Sequence, residues 1–314
     1  MLDMSEAKLS KNSRKLRRLF RLVALRSVGI CFLVFGGALI AKADPVFDRF
    51  IAEVREEAAA QGISERHLAN LDRLTPEPEI TRLASSQPEY VKPIWAYLDH
   101  LITPNRLTLG RENLNANRPY LDKLEAQYGV PIGILVAIWG VETNYGSNKG
   151  SFHVLQALAT LGYEGRRAKF GRQQLLAALQ ILQSGDVSIN NFYGSWAGAM
   201  GHTQFIPTTY LAYAADGTGD GKRDVWTSPQ DALASTANYL KVSGWQRGMP
   251  WGFEVVLPEN FDYGVAGLDQ RAPAARWRER QVHAARDTIV LADSLGEISL
   301  FLPSGHRGPA FLVT

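Results

Sequence analysis

The spacing of apolar and polar residues predicts a chain that is helical for most of its length and has strands near its end. Apolar residues recur at helical spacing in five segments separated by breaks rich in proline or glycine, namely residues 44–71, 90–102, 117–128, 170–183 and 229–243. After Pro250, short apolar runs predict strands at 253–257, 288–291 and 298–302. Helices followed by strands indicate a mainly α (α+β) fold, with a helical domain over 44–250 and a small β lobe over 251–314.

A single carboxylate ends a long apolar run of the chain. Residues 130–141 contain no charged side chain and predict a further helix, with Pro131 in its first turn and Glu142 at its end. Desolvation at the end of a buried helix disfavours the charged carboxylate and raises its pKa. A general acid acting on a glycosidic oxygen needs this property. On the helix alone, Glu142 could equally serve as a cap or as an ion-pair partner.

The positive charge of the chain is concentrated at its N-terminal end. The 314 residues include 34 basic and 31 acidic residues, a net charge of +3. Residues 1–43 hold nine of the basic and two of the acidic residues, so 25 basic and 29 acidic residues remain, a net charge of −4. A body of this sign is not typical of proteins that bind phosphate backbones, so we expect no nucleic-acid partner.

Residues 1–43 have the pattern of an export signal. A basic region ends at Arg26, an uncharged stretch covers 28–41, and an A-x-A cleavage pattern ends at Ala43. The stretch is shorter than the ~20 apolar residues of a spanning helix, although an uncleaved anchor is the alternative. The single cysteine, Cys31, follows isoleucine rather than a small residue, so no lipobox is present. We expect cleavage near Ala43 and a periplasmic mature chain.

Two segments, 140–146 (GVETNYG) and 194–207 (GSWAGAMGHTQFIP), resemble the catalytic signature of the lytic murein transglycosylase B family. The resemblance covers roughly residues 45–314 and implies a lysozyme-like helical catalytic domain. It also implies cleavage of the β-1,4 bond between N-acetylmuramic acid and N-acetylglucosamine in peptidoglycan glycan strands. The product would be a 1,6-anhydromuramyl end, formed without water and with no cofactor required. Glu142 would act first as the acid and then as the base.

The same resemblance implies substrate-binding side chains around Glu142, and these are Tyr97, Arg166, Arg167, Ser195, Gln204 and Tyr239. An amide such as Gln204 can hold a carboxylate or a sugar hydroxyl, and an arginine pair suits the acidic branch of muramic acid. Without the motifs, the tyrosines would be ordinary rim aromatics and the arginines a solvated face. His202 stands where family members vary, so we interpret it as a wall residue and not as a base.

Residues 216–224 (DGTGDGKRD) match the start of a calcium-binding loop. Oxygen-bearing side chains occupy the first, third, fifth and ninth positions, and glycine occupies the sixth, where such a loop turns sharply. The twelfth position is Thr227 instead of glutamate, so Asp231 is the candidate replacement. The predicted ligands of a weakly bound structural Ca²⁺ are Asp216, Thr218, Asp220, Lys222 through its carbonyl, Asp224 and Asp231. The alternative is a plain Asp/Gly turn without metal.

Two alternatives to the lytic transglycosylase remain open. A hydrolytic muramidase would need a second carboxylate, for which Asp186 and Glu164 are nearest in sequence. A peptidoglycan-binding scaffold without turnover is the other alternative. Family members usually continue for some tens of residues beyond the position of Thr314, so we expect a shortened β lobe and an incomplete groove. We expect a monomer, with other cell-wall enzymes as further partners.

Overall fold

The structure is a computed structural model, and the residues that it describes are 44–85, 94–163, 165–286 and 289–314. The predicted signal peptide and Glu164 lie outside these ranges. The residues from Asp44 to Thr314 belong to one compact unit.

Helices dominate the chain up to residue 242. The α-helices of the described ranges are α1 Pro45–Ala60, α2 Glu65–Leu68, α3 Pro78–Ser85, α4 Ile94–Leu101, α5 Pro104–Ala116, α6 Arg118–Tyr128, α7 Ile132–Thr143, α8 Val154–Tyr163, α9 Ala168–Ser184, α10 Pro207–Tyr213, α11 Pro229–Val242 and α12 Ala274–Glu279. The strands are β1 Phe152–His153, β2 Tyr193–Gly194, β3 Gly252–Val256, β4 Arg271–Pro273, β5 His283–Ala284, β6 Glu297–Phe301 and β7 Ala310–Val313.

The predicted helices form where the capping signals place them. The Asp44 carboxylate accepts hydrogen bonds from two backbone N–H groups of the first turn of α1, at 3.0 and 3.2 Å. Gly129 ends α6 in the left-handed conformation, with φ 78°. Pro131 lies one residue before α7, at its N-cap. The sequence pattern therefore predicts the start of the helix that carries Glu142 to within one residue.

Two large packed clusters form most of the helical core of the described residues. In the first, α1, α8 and α9 bury Phe47, Leu155, Leu158, Leu175 and Leu179. Helices α8 and α9 touch at a pair of glycines, where a Cβ on Gly171 would lie 2.4 Å from the backbone nitrogen of Gly162. The second cluster joins α6, α7 and α11 through Leu121, Leu135, Trp139 and Leu233. The second cluster buries one face of α7 and thereby fixes the direction of its opposite face.

A five-stranded antiparallel sheet follows the helices, in the order β4-β6-β7-β3-β5. Its strands and α12 enclose a separate core around the fully buried Trp277. The strands predicted at 253–257 and 298–302 are confirmed. The strand predicted at 288–291 is wrong, because residues 289–291 have no strand structure and Thr288 lies outside the described ranges. The side chain of Leu291 packs into the core of the β lobe, and this burial accounts for an apolar residue in a segment that forms no strand.

Within the described ranges, no single helix is long and apolar enough to cross a membrane. Helices α6 and α7 are long and apolar enough only when they are taken together, and a bend of 112° lies between them. The helical and strand regions agree with the predicted division near residue 250, and that division into two domains stays a prediction.

Candidate active site

Glu142 lies in the last turn of α7, on the side of that helix that faces away from the core. Leu135, Trp139 and Thr143 point into the core from the other side. Glu142 opens onto a cavity of about 330 Å³. The cavity is lined by Ile138, Glu142, Thr203, Gln204, Phe205, Ile206, Thr209, Thr236, Tyr239 and Leu240. Helix α7, the segment after β2, and helices α10 and α11 therefore meet around one carboxylate.

The Glu142 carboxyl combines exposure to the cavity with partial desolvation. The residue is exposed, and its carboxylate has no hydrogen bond or ion pair with any described residue. Desolvation raises the pKa of Glu142 above the ordinary glutamate value, because apolar neighbours such as Ile138 and Leu240 displace part of its water. Since no cation or hydrogen-bond donor of the described ranges stabilises the charged form, this side chain is suited to holding a proton.

The turn after Glu142 adopts a conformation that is uncommon for its residues. Asn144 and Tyr145 both have left-handed backbones, with φ 49° and 60°, and such strain concentrates at functional sites. The Tyr145 hydroxyl donates to the carbonyl of Arg106 at 3.0 Å, and its ring lies edge-on to Trp139 at 5.7 Å. The tyrosine thus locks the end of α7 against α5, which leaves Glu142 on a rigid helix end.

Replacing Gly140 with alanine is expected to destabilise the protein by about 1–3 kcal/mol, the usual range for overpacking. A Cβ at this position would lie 2.5 Å from the Tyr145 hydroxyl oxygen, so the tyrosine would have to leave its place. Gly133→Ala in the same helix is the matched control, because its Cβ would meet nothing within 4 Å. Urea denaturation of the two variants compares them. Equal stability of the two variants would contradict this account.

Gln204 occupies a second left-handed position, with φ 52°. Its side-chain nitrogen donates to the carbonyls of Gly201 and Lys149, at 3.1 and 3.3 Å. These bonds use both amide hydrogens inside the protein and leave the amide oxygen without a partner among the described residues. Gln204 therefore brings a fixed acceptor to the same cavity as Glu142.

His202 joins α7 to the segment that carries Gln204. Its Nδ1 accepts from the indole of Trp139 at 3.0 Å, and its carbonyl accepts from the Thr143 hydroxyl at 2.6 Å. The side chain is buried, and desolvation lowers its pKa to about 4, with Lys149 adding to this effect and Asp224 opposing it. His202 itself does not line the Glu142 cavity, so the interpretation of a wall residue stays a prediction, and the sequence pattern did not indicate the bond to Trp139.

The other predicted substrate-binding residues divide into two groups. Tyr239 lines the cavity, with its ring edge-on to Phe205 at 6.1 Å and to Tyr213 at 5.1 Å. The side chains that do not line the cavity are Tyr97, Arg166, Arg167 and Ser195. Tyr97 is an exposed residue of α4. The structure therefore brings Gln204 and Tyr239 to Glu142, and it places the other four outside the immediate cavity wall.

Ser195 and Arg167 lie close to Trp196, and Arg166 precedes Arg167 in the chain. The Ser195 hydroxyl accepts from the Ala199 N–H at 3.0 Å and so braces its own turn. The Arg167 guanidinium lies 5.3 Å from the ring centre of Trp196, within the range of a cation–π contact. Arg166 is exposed. Arg167 therefore places a positive charge next to the segment that leads to Gln204.

The sequence analysis did not predict three threonines of the cavity wall, which are Thr203, Thr209 and Thr236. Thr236 and Tyr239 are three residues apart on α11, so they share a helix face, as do Ile138 and Glu142 on α7. Helical spacing counted from Tyr239 could have found Thr236. The other two depend on the fold of the chain between β2 and α11.

Three of the predicted calcium ligands lie together. Carboxylate oxygens of Asp216, Asp220 and Asp231 are all within 4.8 Å of one another, and hard oxygen donors of this kind suit Ca²⁺. Thr218 donates its hydroxyl to Asp216 at 3.2 Å. Asp224 is outside the group, because its carboxylate accepts from the N–H groups of Trp226 and Thr227, at 2.9 and 2.8 Å.

Asp231 supports this loop in its own right. The carboxylate is fully buried and accepts from the N–H groups of Gly217, Thr218 and Asp224, at 2.9, 3.1 and 3.0 Å. Its pKa is nevertheless raised, because desolvation outweighs these hydrogen bonds. A cation shared with Asp216 and Asp220 would favour the charged form. The donor set thus fits a divalent cation.

Asp186, a candidate second carboxylate, lies in a different place. It pairs with Arg223 at 2.7 Å and also accepts from the Arg223 N–H at 3.0 Å. Desolvation would raise its pKa, but these bonds and one from Ser184 together lower it. Asp186 lines a separate cavity that does not contain Glu142.

Comparison with known proteins identifies the family. The profile described as transglycosylase SLT domain matches residues 46–314. The chain belongs to the transglycosylase SLT domain family. This SLT-domain chain is 40% identical over 190 residues to membrane-bound lytic murein transglycosylase B of Escherichia coli K12. The aligned region covers 56% of this chain and 52% of that protein. The chain thus spans about half the length of this curated relative. The predicted family resemblance is confirmed.

Solved structures of the family have the same architecture. SltB3 from Pseudomonas aeruginosa in complex with NAG-NAM-pentapeptide matches with a TM-score of 0.81 and 48% identity, over 86% of this chain and 73% of that chain. SltB3 has also been solved with NAG-anhNAM-pentapeptide. Escherichia coli lytic transglycosylase Slt35 in complex with calcium matches with a TM-score of 0.70 and 28% identity, over 86% and 84% of the two chains. The predicted lysozyme-like, mainly α fold with a small β lobe is confirmed.

Proposed function

We propose that this SLT-domain protein is a lytic transglycosylase that cleaves the β-1,4 bond between N-acetylmuramic acid and N-acetylglucosamine in peptidoglycan. The observation that carries the proposal is a single unpaired carboxylate with a raised pKa, at the end of α7 in a cavity that also holds Gln204 and Tyr239. The names of the relatives agree with this activity.

One carboxyl group is sufficient for the proposed reaction. Protonated Glu142 gives its proton to the glycosidic oxygen while the bond from that oxygen to C1 of the muramic residue breaks. The C6 hydroxyl oxygen of the same residue then bonds to C1 and returns its proton to the Glu142 carboxylate. The product is a 1,6-anhydro ring, no water is consumed, and the enzyme regains its starting protonation state. The intramolecular nucleophile needs no second base because it is already held close to C1.

The other residues of the site bind and orient the sugar in this proposal. The free amide oxygen of Gln204 accepts from a hydroxyl or acetamido N–H group, and the Tyr239 ring supplies an apolar face. Ser195 and Tyr97 lie further along the glycan strand. The basic pair Arg166 and Arg167 is exposed enough to meet the acidic branch of muramic acid.

A specific observation weighs against the hydrolytic alternative. A muramidase needs a second carboxylate on the opposite side of the sugar, and Glu142 is the only carboxylate among the described residues that line the cavity. Asp186 is engaged with Arg223 elsewhere. A scaffold without turnover would give no reason for an unpaired carboxyl with a raised pKa in a cleft.

Product analysis tests the proposal directly. Purified sacculi are digested with the protein, and the released muropeptides are measured by mass spectrometry. We expect 1,6-anhydromuramyl ends. Reducing muramyl ends would establish the muramidase instead, and intact glycan that retains bound protein would establish the scaffold.

The proposed activity requires access to the cell wall. We propose that residues 1–43 direct export, that cleavage occurs near Ala43, and that the mature chain acts in the periplasm as a monomer, where it meets other cell-wall enzymes. The basic region, the uncharged stretch and the A-x-A pattern support this assignment. N-terminal sequencing of the periplasmic protein tests the cleavage point.

We propose that Asp216, Asp220 and Asp231 hold a structural Ca²⁺, which would supply a counter-charge to three neighbouring carboxylates and take no part in bond cleavage. At ten times its dissociation constant, the ion would stabilise the fold by about 1.4 kcal/mol. This corresponds to a rise of about 3–6 °C in melting temperature for a domain of this size. We expect Asp216→Asn to abolish the rise, because it removes a charge from the group.

The control for the calcium experiment is Asp269→Asn, at an exposed position of the β lobe. This variant should keep the full calcium-dependent rise in melting temperature. If Asp216→Asn shows the same rise as the unmodified protein, or if calcium does not change the melting temperature of the unmodified protein, the metal assignment is wrong.

A further inference from the structure

A second cavity lies beside the Glu142 cavity, next to the β lobe. This linker cleft, of about 560 Å³, lies between the end of α11, the connection over residues 243–251 and the edge of the sheet. Leu240 lines both cavities, so a single side chain forms their shared wall. The linker cleft is therefore one residue away from a polymer seated at Glu142.

The linker cleft has the composition of a binding surface. Trp245 and Trp251 both line it, and Trp251 is 52% exposed even though its ring packs on Phe311 at 6.2 Å. The Trp245 indole is held by the carbonyl of Gly129 at 3.1 Å. An exposed tryptophan held in place offers a large contact area at little conformational cost.

Positive charge collects at the far end of the linker cleft. Arg271 lines the linker cleft and also lines a smaller cavity of about 150 Å³. Arg276 and Arg280 line the smaller cavity too, together with Gln270, and we call it the arginine pocket. Residues 251–314 contain six arginines and eight carboxylates, a net charge of −2. Half of the arginines of a negatively charged lobe thus surround one small cavity.

The arginine pocket is incompletely neutralised by the protein. Arg276 pairs with Glu279 at 3.2 Å, Arg280 lies 5.4 Å from the Trp277 ring centre, and Arg271 donates to the backbone carbonyl of Glu297. In the described part of the chain, one carboxylate therefore serves three guanidinium groups. Guanidinium groups bind carboxylates through paired hydrogen bonds, and like charges gathered in one place favour an added anion.

We propose that the linker cleft and the arginine pocket bind an anionic stem peptide of peptidoglycan, with a peptide carboxylate held by Arg271, Arg276 and Arg280. This inference rests on the proposed function for its choice of ligand. Each muramic residue of a glycan strand carries a peptide with free carboxylates, so a strand seated at Glu142 presents further peptides along its length. The position of the linker cleft beside the Glu142 cavity favours such a peptide over a phosphate-bearing membrane surface.

Calorimetric binding of a sugar-free peptide tests the site separately from turnover. The probe is the pentapeptide L-Ala-γ-D-Glu-meso-diaminopimelate-D-Ala-D-Ala. We expect the double variant Arg276→Gln/Arg280→Gln to bind it about 10- to 100-fold more weakly, the range for lost hydrogen bonds to charged groups. Arg307→Gln is the matched control, because Arg307 is an exposed arginine of the same lobe that lines neither cavity. It should bind the peptide as the unmodified protein does.

Two further measurements distinguish a loss of peptide binding from misfolding of the variant and from a loss of turnover. The unmodified protein should not bind a pentapeptide whose carboxylates are amidated. This measurement does not depend on whether a variant folds. On peptide-free glycan the double variant should cleave at the unmodified rate, whereas on intact sacculi it should cleave more slowly. Equal binding of the pentapeptide by the double variant, or arginine-dependent binding to phosphatidylglycerol vesicles without peptide binding, would overturn the proposal. Absence of anhydro products would refute the proposed function and leave the binding result standing.

Discussion

Replacing Glu142 with glutamine is expected to lower the turnover of peptidoglycan by about 10²- to 10⁴-fold, the usual contribution of a positioned acid and base. Glutamine keeps the shape of the side chain but can neither give nor regain a proton in this reaction. Glu142 has no hydrogen-bond or ion-pair partner among the described residues, so the substitution breaks no contact of the fold. The release of soluble muropeptides from sacculi measures the effect.

The pH profile adds a second readout to this prediction. The reaction starts from the protonated carboxyl, so kcat/KM falls as the pH rises through the pKa of Glu142. Because desolvation raises that pKa, we expect the fall to lie at higher pH than for an ordinary glutamate. Any residual activity of Glu142→Gln should lack this limb.

The control for the acid is Glu112→Gln, at an exposed position of α5. It should retain full activity and the unmodified pH profile. Glu142→Gln should also keep its melting temperature and its affinity for sacculi. Turnover by Glu142→Gln within a few-fold of the unmodified protein would remove Glu142 from the proposed role.

The sequence pattern predicts the elements whose apolar residues either recur at a regular spacing or form a run that ends at a clear signal. Helix α7 and strands β3 and β6 were predicted because their apolar runs end at clear signals. Helix α8 has no such period, since most of its residues are buried all round. Helix α5 lacks a clear apolar pattern for the opposite reason, because none of its residues is fully buried. Both were therefore absent from the predicted set, although they border the predicted site.

The composition of the candidate site was only partly predictable for a different reason. Glu142 and Gln204 belong to two motifs, and the resemblance placed both in one site before the fold was seen. The bond from Trp139 to His202 spans 63 residues of sequence, and no local pattern encodes it. Ser195 is the opposite case. It belongs to a motif, but its hydroxyl stabilises its own turn by accepting a hydrogen bond. Local patterns thus identify the chemical groups, and the tertiary fold decides which of them meet.

His202 is expected to make the stability of the protein sensitive to mild acid. Its pKa falls from the ordinary 6.5 to about 4 in the fold, so the unfolded chain takes up a proton more readily than the folded one. The stabilisation is complete above about pH 6.5 and is lost as the pH falls toward 4. At pH 4.5 the loss relative to pH 7 amounts to about 2.5 kcal/mol. Lys149 and Asp224 are the charged groups that act on the ring, and desolvation exceeds both effects.

His202→Gln separates this effect from the general acid sensitivity of the carboxylates. A glutamine oxygen can accept from the Trp139 indole, but it does not titrate. Urea denaturation at pH 7 and pH 4.5 should show that the unmodified protein loses about 2.5 kcal/mol more than this variant over that interval. His100→Gln, at an exposed position of α4, should behave like the unmodified protein. Equal losses for His202→Gln and the unmodified protein would show that the imidazole titrates normally, and that burial between α7 and the Gln204 segment does not hold it neutral.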